Sequence, residues 1–350
     1  MSRTLDTPIH QAFYQFTNKT WEPVIPDGTT TITNATNQPS PLETLRLTTW
    51  NIDFRAPCPD KRMTKALQYL STLHIPTKET PSIIFLHEIT PSDLHIIQKT
   101  TWIRNQFYIT DLSHENWRSQ YGTTALIDRR FDVRSVFRVL YSMSRMGRDA
   151  LFIDVRIHGN IKSHDQRGED GTGKTESSIL RLCNTHLESL TSNPPIRPVQ
   201  LRLAAQFMRG SGPARTDPVS GRKDSELPVP HAAILAGDLN AFAPEDETAP
   251  EECGLLDAFL ELGGKEGSEE GFTWGQQMAD YKRSKFGCSR MDKVLFCGGL
   301  EVQSLEKIGA GEKVWIEYPQ ESDSEESSET GEDLWVTDHI GLQAVFRIVR

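Results

Sequence analysis

Polar residues of a few chemical types recur along the chain, each at or just beyond the end of a short apolar run. They are Asn51, Glu88, His186, Asp238, Asn240, Asp292, Asp338 and His339. Apolar runs of this length predict buried strands. Polar side chains that leave the ends of several strands can meet at one rim of a sheet. Their oxygen and imidazole groups predict a site where a hard divalent cation holds a phosphate.

Two of these segments support that interpretation on local grounds. Glu88 ends the apolar run Ser82-Ile83-Ile84-Phe85-Leu86, where an ionised carboxylate is costly unless it is paired or binds a metal. Asp238 and Asn240 follow Ile234-Leu235-Ala236-Gly237, and continued strand alternation would point both side chains to the same side. The alternatives are a surface glutamate just beyond a strand and a plain turn rich in Asn, Asp and Gly.

The elements that must position these groups alternate between strands and helices. Periodicity predicts helices at residues 61–73, from 91 onward, at 198–208 and at 255–262. Strands are predicted at 45–49, 82–86, 123–127, 151–157, 179–183, 232–235, 294–296 and 342–348. Interleaved elements with this many strands indicate an α/β fold with two sheets.

The chain is predicted to contain one catalytic domain at residues 44–350, preceded by an extension. Residues 1–43 are partly irregular, although the aromatic stretch at 13–21 favours packing onto the domain, with a binding segment as the alternative. Polar insertions near 158–178, 211–230 and 319–333 are predicted to be mobile loops, because their composition cannot bury enough apolar surface.

Composition excludes several classes of protein. The net charge of -10 over 350 residues argues against non-specific coating of nucleic acid. No apolar stretch approaches the roughly 20 residues that cross a bilayer, and no secretory signal is evident. The five cysteines lack C-x-x-C spacing, which argues against zinc and predicts reduced thiols in an intracellular protein. The sequence leaves nucleus and cytoplasm open.

One motif is expected to be misleading. Gly168-Glu169-Asp170-Gly171-Thr172-Gly173-Lys174-Thr175 matches the P-loop pattern. A working P-loop lies between a buried strand and a helix whose N-terminus faces the phosphates. Here the preceding residues are polar and the following ones are predicted to form a strand, so we expect a loop without nucleotide binding.

In order, the segments that carry chemistry resemble the motifs of the endonuclease/exonuclease/phosphatase superfamily. They are Thr49-Trp50-Asn51, Leu86-His87-Glu88, Asn184-Thr185-His186-Leu187-Glu188, Gly237-Asp238-Leu239-Asn240, Arg290-Met291-Asp292 and Thr337-Asp338-His339. The resemblance runs from about residue 45 to the C-terminus. It implies a four-layer α/β sandwich, with two packed mixed sheets flanked by helices, and Mg2+-dependent hydrolysis of a phosphodiester.

The resemblance also implies a set of metal ligands. Glu88 would be the main ligand of Mg2+, with Mn2+ as a substitute, and Asn51 and Asp338 would lie beside it. The family usually has glutamine before this glutamate, whereas this chain has His87. The departure concerns a neighbouring contact and leaves the ligand itself in place.

The remaining polar residues have implied roles in proton and phosphate chemistry. Asp238 would accept a proton from the attacking water, and Asn240 would help to hold that water. His339 would donate to a phosphate oxygen, with its imidazole oriented by Asp292, or would belong to the group that activates water. His186 would supply another phosphate contact.

Further segments resemble one branch of the superfamily, which removes tyrosine from 5′ ends of DNA. They are His186-Leu187-Glu188-Ser189, Phe272-Thr273-Trp274 and Arg148 between Gly147 and Asp149. This resemblance implies that Tyr121, Arg148, Trp274 and Arg290 contact the substrate. It also implies a monomer that acts on DNA 5′ ends carrying a tyrosyl or peptide adduct.

Several alternatives stay open from the sequence. Trp274 could be a core aromatic, Tyr121 could pack at the start of a strand, and Arg290 could form a structural salt bridge. Abasic DNA, inositol polyphosphates and sphingomyelin are other substrates of the superfamily. A catalytically silent scaffold that binds partners through its acidic loops is a third hypothesis.

Overall fold

The computed structural model describes residues 4–25, 42–74, 80–158, 177–210, 227–317 and 331–349. Most of each predicted insertion lies outside these ranges, as does the whole P-loop-like segment at 168–175. None of the helices in the described ranges has the length and apolarity that a bilayer crossing requires.

Strands dominate the described residues. They are β1 (Pro8–His10), β2 (Phe13–Thr17), β3 (Thr20–Val24), β4 (Thr44–Asn51), β5 (Ser82–Ile89), β6 (Phe107–Ile109), β7 (Gly122–Asp128), β8 (Asp132–Leu140), β9 (Asp149–His158), β10 (Ser177–Thr185), β11 (Ala232–Asp238), β12 (Leu256–Asp257), β13 (Asp292–Gly298), β14 (Leu300–Ile308), β15 (Lys313–Glu317), β16 (Gly331–Trp335) and β17 (Gly341–Ile348). The α-helices are α1 (Pro59–Leu73), α2 (Pro91–Lys99), α3 (Thr101–Gln106), α4 (Arg197–Arg209), α5 (Pro244–Glu252), α6 (Ala258–Glu261) and α7 (Asp280–Phe286).

The strands form two large mixed sheets. The first has the order β1-β8-β9-β10-β11-β13-β12, and the second has the order β14-β17-β4-β5-β7-β6-β2-β3. Each sheet contains one parallel pair, β10 with β11 in the first and β4 with β5 in the second. Strands β15 and β16 pair separately. The two parallel pairs matter for the site, because the carboxyl ends of parallel strands meet at one edge of a sheet.

Three apolar layers hold this architecture together, and β5 shows why. Ile83 and Phe85 pack between the two sheets, whereas Ile84 and Leu86 pack under α1 and α2. A strand covered on both faces needs an unbroken apolar run, which is what the sequence has here. Helices α4 and α5 cover the outer face of the first sheet in the same way. The predicted four-layer α/β sandwich is confirmed.

The N-terminal segment packs onto the sandwich, as its aromatic stretch favours. Strand β1 pairs with β8 in the first sheet, and β2 pairs with β6 in the second. Gln11, between β1 and β2, donates to the carbonyl of Thr110 and accepts from the Nε of Arg138. Residues 8–24 therefore join both sheets.

Phe13→Ala is expected to lower the free energy of unfolding by about 3 kcal/mol, because Phe13 is 2% exposed in the core between the sheets. Ile25→Ala is the matched control in the same segment. Ile25 is 82% exposed, so its truncation should change stability by less than about 0.5 kcal/mol. Urea unfolding of both variants measures the difference. Equal stability of both variants would show that the N-terminal strands contribute nothing to the fold.

Predicted boundaries differ from the observed ones at several elements. The predicted helix at 255–262 is a helix only at Ala258–Glu261, since the Asp257 side chain accepts from the backbone N–H of Phe259 and begins the helix there. The two preceding residues pair with β13 instead. The predicted insertion at 319–333 extends too far, because Gly331 already begins β16.

Candidate active site

The ends of the two parallel pairs meet between the sheets. The Nδ2 of Asn51, at the end of β4, donates to the Oδ2 of Asp238, at the end of β11, over 2.9 Å. Gly237 permits a close approach beneath this contact, because a Cβ there would lie 1.8 Å from the carbonyl oxygen of Thr185. The structure thus brings the Asn51 and Asp238 motifs, which are far apart in the chain, into direct contact.

The carboxylate of Asp238 is the centre of the cluster. It is buried and accepts from Asn51, from the Nε2 of His186 at 3.2 Å and from the backbone N–H of Asn240 at 2.9 Å. Burial alone would raise the pKa of Asp238. The nearby imidazoles of His186 and His339, together with these hydrogen bonds, hold that pKa well below its usual range. Asp238 is therefore ionised at neutral pH.

The imidazole of His339 lies between two carboxylates. Its Nδ1 is 2.8 Å from the Oδ2 of Asp292, and its Nε2 is 3.7 Å from the Oδ2 of Asp238. Burial lowers the pKa of His339, but Asp292 and Asp238 outweigh burial and place the pKa well above its ordinary value. Since Asp238 and Asp292 are cross-strand partners on β11 and β13, the sheet itself fixes this geometry. His339 is thus a protonated donor at neutral pH.

His186 is held as a neutral imidazole of one tautomer. The Nη1 of Arg148 lies 3.0 Å from the Nδ1 of His186, and a guanidinium can only donate. The Nε2 of His186 must then carry the proton, and it donates to Asp238. Burial, reinforced by Arg148, lowers the pKa of His186 to about 4. His186 therefore serves here as a fixed hydrogen-bond donor.

Glu88 occupies an irregular position on β5. Its φ of 60° is unusual for a residue with a side chain, and the register of β5 with β7 shifts between Leu86 and Ile89. Such bulges re-aim a side chain, and strain of roughly 1–3 kcal/mol persists at functional sites. The Oε2 of Glu88 accepts from the backbone N–H of Phe54 at 3.1 Å. The fold thus holds one carboxylate in a strained conformation at the rim.

Glu88 has no cationic partner of its own among the described side chains. Burial, with a smaller contribution from Asp238, raises the pKa of Glu88 to about 7, although His339 and Arg148 oppose the shift. In the described ranges no lysine or arginine forms an ion pair with Glu88. The carboxylate of Glu88 interacts with the charges of Asp238 and His339. It has no ion-pair partner of its own among the described residues.

Asp338 and Asn51 complete the predicted ligand set. The Oδ2 of Asp338 accepts from the Nε1 of Trp274 at 2.9 Å, and its Oδ1 lies 3.9 Å from the Nε2 of His339. The Oδ1 of Asn51 accepts from the backbone N–H of Asp53. Carboxylate and amide oxygens are the donors that Mg2+ prefers.

A second group could also hold a metal ion. Asp238, Asp292 and His339 each place one ligand atom within 4.8 Å of the other two. The hydrogen bond from His339 to Asp292 already uses the Nδ1 of the imidazole. Because this imidazole bridges two carboxylates, the group is better suited to moving a proton than to binding a cation.

An aromatic and cationic surface flanks the cluster on the side of Asp338. Half-buried Trp274 contacts Asp338, and its ring lies 6.5 Å from that of Phe286 at the end of α7. Every residue of α7 is exposed, and three of them are Lys282, Arg283 and Lys285. This surface can stack a planar group and attract an anion.

Tyr121 and Phe54 form a second aromatic surface, beside Glu88. Their rings stack at 4.0 Å with an interplanar angle of 16°, and the guanidinium of Arg148 lies 5.3 Å from the centre of the Tyr121 ring. The structure therefore places Tyr121 and Arg148 together. Phe54 was not predicted from the sequence, and the only signal was its position three residues after Asn51.

The structure does not bring Arg290 to the cluster. Its Nη1 is 2.7 Å from the Oδ2 of Asp257, and its other nitrogens contact Glu266. Arg290 is buried, and its guanidinium is neutralised by these two carboxylates. These ion pairs favour the structural salt bridge that the sequence left open, and a substrate contact at Arg290 stays a prediction.

Arg290→Met is expected to lower the free energy of unfolding by about 3 kcal/mol, because it leaves Asp257 and Glu266 without their main partner. The KM for a DNA substrate should stay within about twofold. Lys285→Met, on exposed α7, is the matched control and should raise KM without a loss of stability. Unfolding curves and steady-state kinetics measure both effects. A rise in KM with normal stability in Arg290→Met would restore its role as a substrate contact.

Solved structures share this fold. D. rerio TDP2 complexed with single strand DNA product has a TM-score of 0.55 and 16% identity, with 87% of this chain and 99% of that chain covered. Truncated Caenorhabditis elegans TDP2 has a TM-score of 0.57 and 21% identity, with 87% and 99% covered. An endonuclease/exonuclease/phosphatase family protein from Bacteroides thetaiotaomicron has a TM-score of 0.54 and 11% identity, with 88% and 98% covered. At these identities the similarity establishes the fold.

Sequence comparison gives the family. No curated protein matches the chain significantly. The model of the Endonuclease/Exonuclease/phosphatase family matches residues 48–339, which span every motif from the Asn51 segment to His339. The chain is therefore a member of the Endonuclease/Exonuclease/phosphatase family.

Proposed function

We propose that the protein is a Mg2+-dependent phosphodiesterase that releases tyrosine, or a tyrosyl peptide, from the 5′ ends of DNA. Its main support is the arrangement around Asp238. An ionised carboxylate accepts from Asn51 and His186, lies 3.7 Å from protonated His339, and is close to the uncompensated carboxylate of Glu88. A phosphodiester with a cation beside Glu88 would complement these charges.

Glu88 would hold the divalent ion, with Asn51 and Asp338 beside it. The fit rests on the chemistry of Glu88, a half-buried oxygen donor whose pKa is raised by desolvation and by nearby Asp238. When bound, such an ion polarises a phosphoryl oxygen and stabilises the transition state by several kcal/mol. Mn2+ takes the same oxygen ligands and should substitute for Mg2+.

Side chains of the protein would position the attacking water and stabilise the charge that develops on the phosphate. Asp238 orients the attacking water and accepts its proton, while Asn240 helps to position that water. His339 donates to a non-bridging phosphate oxygen, and Asp292 keeps the imidazole protonated and aligned. The one N–H of His186 donates to Asp238 and holds that carboxylate in place. General acid–base groups of this kind contribute about 10^2 to 10^4 in rate.

The two aromatic surfaces favour a nucleic-acid substrate. Trp274 and Phe286 offer ring faces beside the cations of α7, and stacking of an unpaired base is worth about 1–3 kcal/mol. Tyr121 and Arg148 lie on the other side of the cluster, next to Glu88. Both the motif resemblance to tyrosyl-DNA phosphodiesterase 2 and the fold shared with TDP2 in complex with a DNA product support this choice.

A substrate panel tests the proposal. The panel contains a 5′-tyrosyl oligonucleotide, abasic duplex DNA, an inositol polyphosphate and sphingomyelin, each with Mg2+, Mn2+ or EDTA. We expect the tyrosyl oligonucleotide to be the best substrate, yielding tyrosine and a 5′-phosphate, with no turnover in EDTA. Turnover of an inositol phosphate without turnover of tyrosyl DNA would assign another substrate within the family. Inactivity on all four with either metal would favour a silent scaffold.

A further inference from the structure

A loop at residues 141–148 carries Arg148 to the site. Arg148 contacts the Nδ1 of His186 and lies over the ring of Tyr121, so its position determines which nitrogen of His186 bears the proton. The backbone carbonyl of Arg148 accepts from the N–H of Tyr141, at the far end of the loop. The orientation of a substrate-side arginine thus depends on what holds this loop in place.

Glu188 holds the middle of the loop. It is 2% exposed, and its two carboxylate oxygens accept from different groups there. Its Oε2 accepts from the Oγ of Ser144 at 2.9 Å, and its Oε1 accepts from the backbone N–H of Arg145 at 3.0 Å. Gln200 on α4 also holds the loop. Its Nε2 donates to the carbonyl of Met143 at 2.8 Å, and its Oε1 accepts from the backbone N–H of Glu188.

Ser144 links Glu188 to the backbone of Arg148. Its Oγ accepts from the backbone N–H of Arg148 at 2.9 Å, so its hydroxyl proton is free to point at Glu188. The contacts form a continuous path from Glu188 through Ser144 and Arg148 to His186, and from His186 to Asp238. Glu188 itself has no contact with Asp238 or His339 among the described hydrogen bonds.

A purely structural role would not call for a carboxylate at this position. In the described ranges no lysine or arginine side chain forms an ion pair with the carboxylate of Glu188. Burying an ionised group without a cation is costly, and an apolar residue of similar size would stabilise the fold better. A carboxylate, however, supplies two acceptor oxygens, one for the hydroxyl of Ser144 and one for the N–H of Arg145.

We propose that Glu188 is a positioning residue, which fixes the loop at 141–148 so that Arg148 holds His186 in its Nε2-protonated form toward Asp238. The role deepens the proposed function, because it identifies what orients the donors around the attacking group. The structural part of the inference does not depend on which phosphodiester is cleaved.

The experiment combines NMR with kinetics on Glu188→Gln. A glutamine of the same size offers one acceptor in place of two, so either the hydroxyl of Ser144 or the N–H of Arg145 loses its acceptor. In the wild-type protein, 15N shifts of the His186 ring should show a single Nε2-protonated tautomer. In Glu188→Gln they should show a mixture, and kcat on the tyrosyl oligonucleotide should fall about tenfold while KM stays within about twofold. Ser144→Ala, a smaller change in the same path, should act in the same direction.

Two controls separate positioning from stability. Phe13→Ala destabilises the fold at a distance and should leave the His186 tautomer unchanged. In an Arg148→Met background, Glu188→Gln should reduce kcat no further, because the two residues act in one path. Unchanged His186 shifts in both Glu188→Gln and Ser144→Ala would overturn the proposal, as would an equal loss of kcat in both backgrounds. If the protein cleaves none of the substrates, the NMR result still decides the positioning role, while the proposed function fails separately.

Discussion

Asp238→Asn is expected to reduce kcat by about 10^3- to 10^4-fold, the upper part of the range for a general base. Asparagine keeps the size of the side chain and one acceptor oxygen. It removes the negative charge that accepts from Asn51 and His186 and that helps to keep His339 protonated. Three functions of the cluster are thus lost together, which is why this substitution should have the largest effect. Steady-state kinetics with saturating Mg2+ measure it.

The control for Asp238→Asn is Asp132→Asn. Asp132 begins β8, whereas the loop that carries Arg148 follows the other end of that strand. Its substitution should leave kcat unchanged. Asp238→Asn should keep a cooperative thermal transition close to that of the wild type, because asparagine fits the same volume. Activity within tenfold of the wild type in Asp238→Asn would refute the assignment of the site.

Glu88→Gln is expected to weaken Mg2+ binding by at least about 100-fold and to reduce turnover accordingly. Glutamine can still accept from the backbone N–H of Phe54, so the strained conformation at Glu88 should persist. The apo variant should be more stable than the apo wild type, since a half-buried carboxylate whose pKa is raised by desolvation is removed. Mg2+ should raise the Tm of the wild type and leave that of the variant unchanged.

Asp292→Asn distinguishes the two possible locations of the ion. If the ion lies at Glu88, Asp292→Asn should alter the rate through His339 and retain Mg2+ affinity. If the ion instead bridges Asp238, Asp292 and His339, Asp292→Asn should abolish binding and Glu88→Gln should preserve it. Calorimetric titration of both variants with Mg2+ separates these results without a substrate.

The strands that carry the proposed catalytic residues could be predicted because each is covered on both faces. A run such as Ile83 to Leu86 has no other stable place than between two layers, and the polar residue that follows must lie at a rim. Which strand ends lie next to each other depends on the tertiary packing of the two sheets. The contact between Asn51 and Asp238 could be expected only from the family resemblance, since neither local spacing nor composition links the two strands.

The N-terminal strands could not be recognised from local pattern. Strand β1 has three residues, and its partner β8 lies more than a hundred positions later in the chain. Short strands with proline and histidine carry little intrinsic preference, and cross-strand packing decides their state. The same applies to Arg290, whose partners Asp257 and Glu266 lie in a turn-rich segment without a distinctive pattern.

The conformation of Glu88 was also beyond sequence reasoning. A positive φ and a register shift between β5 and β7 follow from how the two strands pair, not from the residues at 86–89 themselves. The raised pKa of Glu88 depends in turn on burial and on Asp238, which only the assembled site supplies.

Hydrolysis of a 5′-tyrosyl oligonucleotide in 18O-labelled water shows whether water attacks phosphorus at this site and which bond breaks. Attack of water on phosphorus, with loss of the tyrosyl oxygen, places one 18O atom in the 5′-phosphate of the DNA and none in the released tyrosine. We predict this labelling with Mg2+, and none with EDTA or with Asp238→Asn. Release of phosphotyrosine with a 5′-hydroxyl on the DNA would show that the other phosphoester bond breaks, and equal labelling with Asp238→Asn would show that Asp238 does not activate the water.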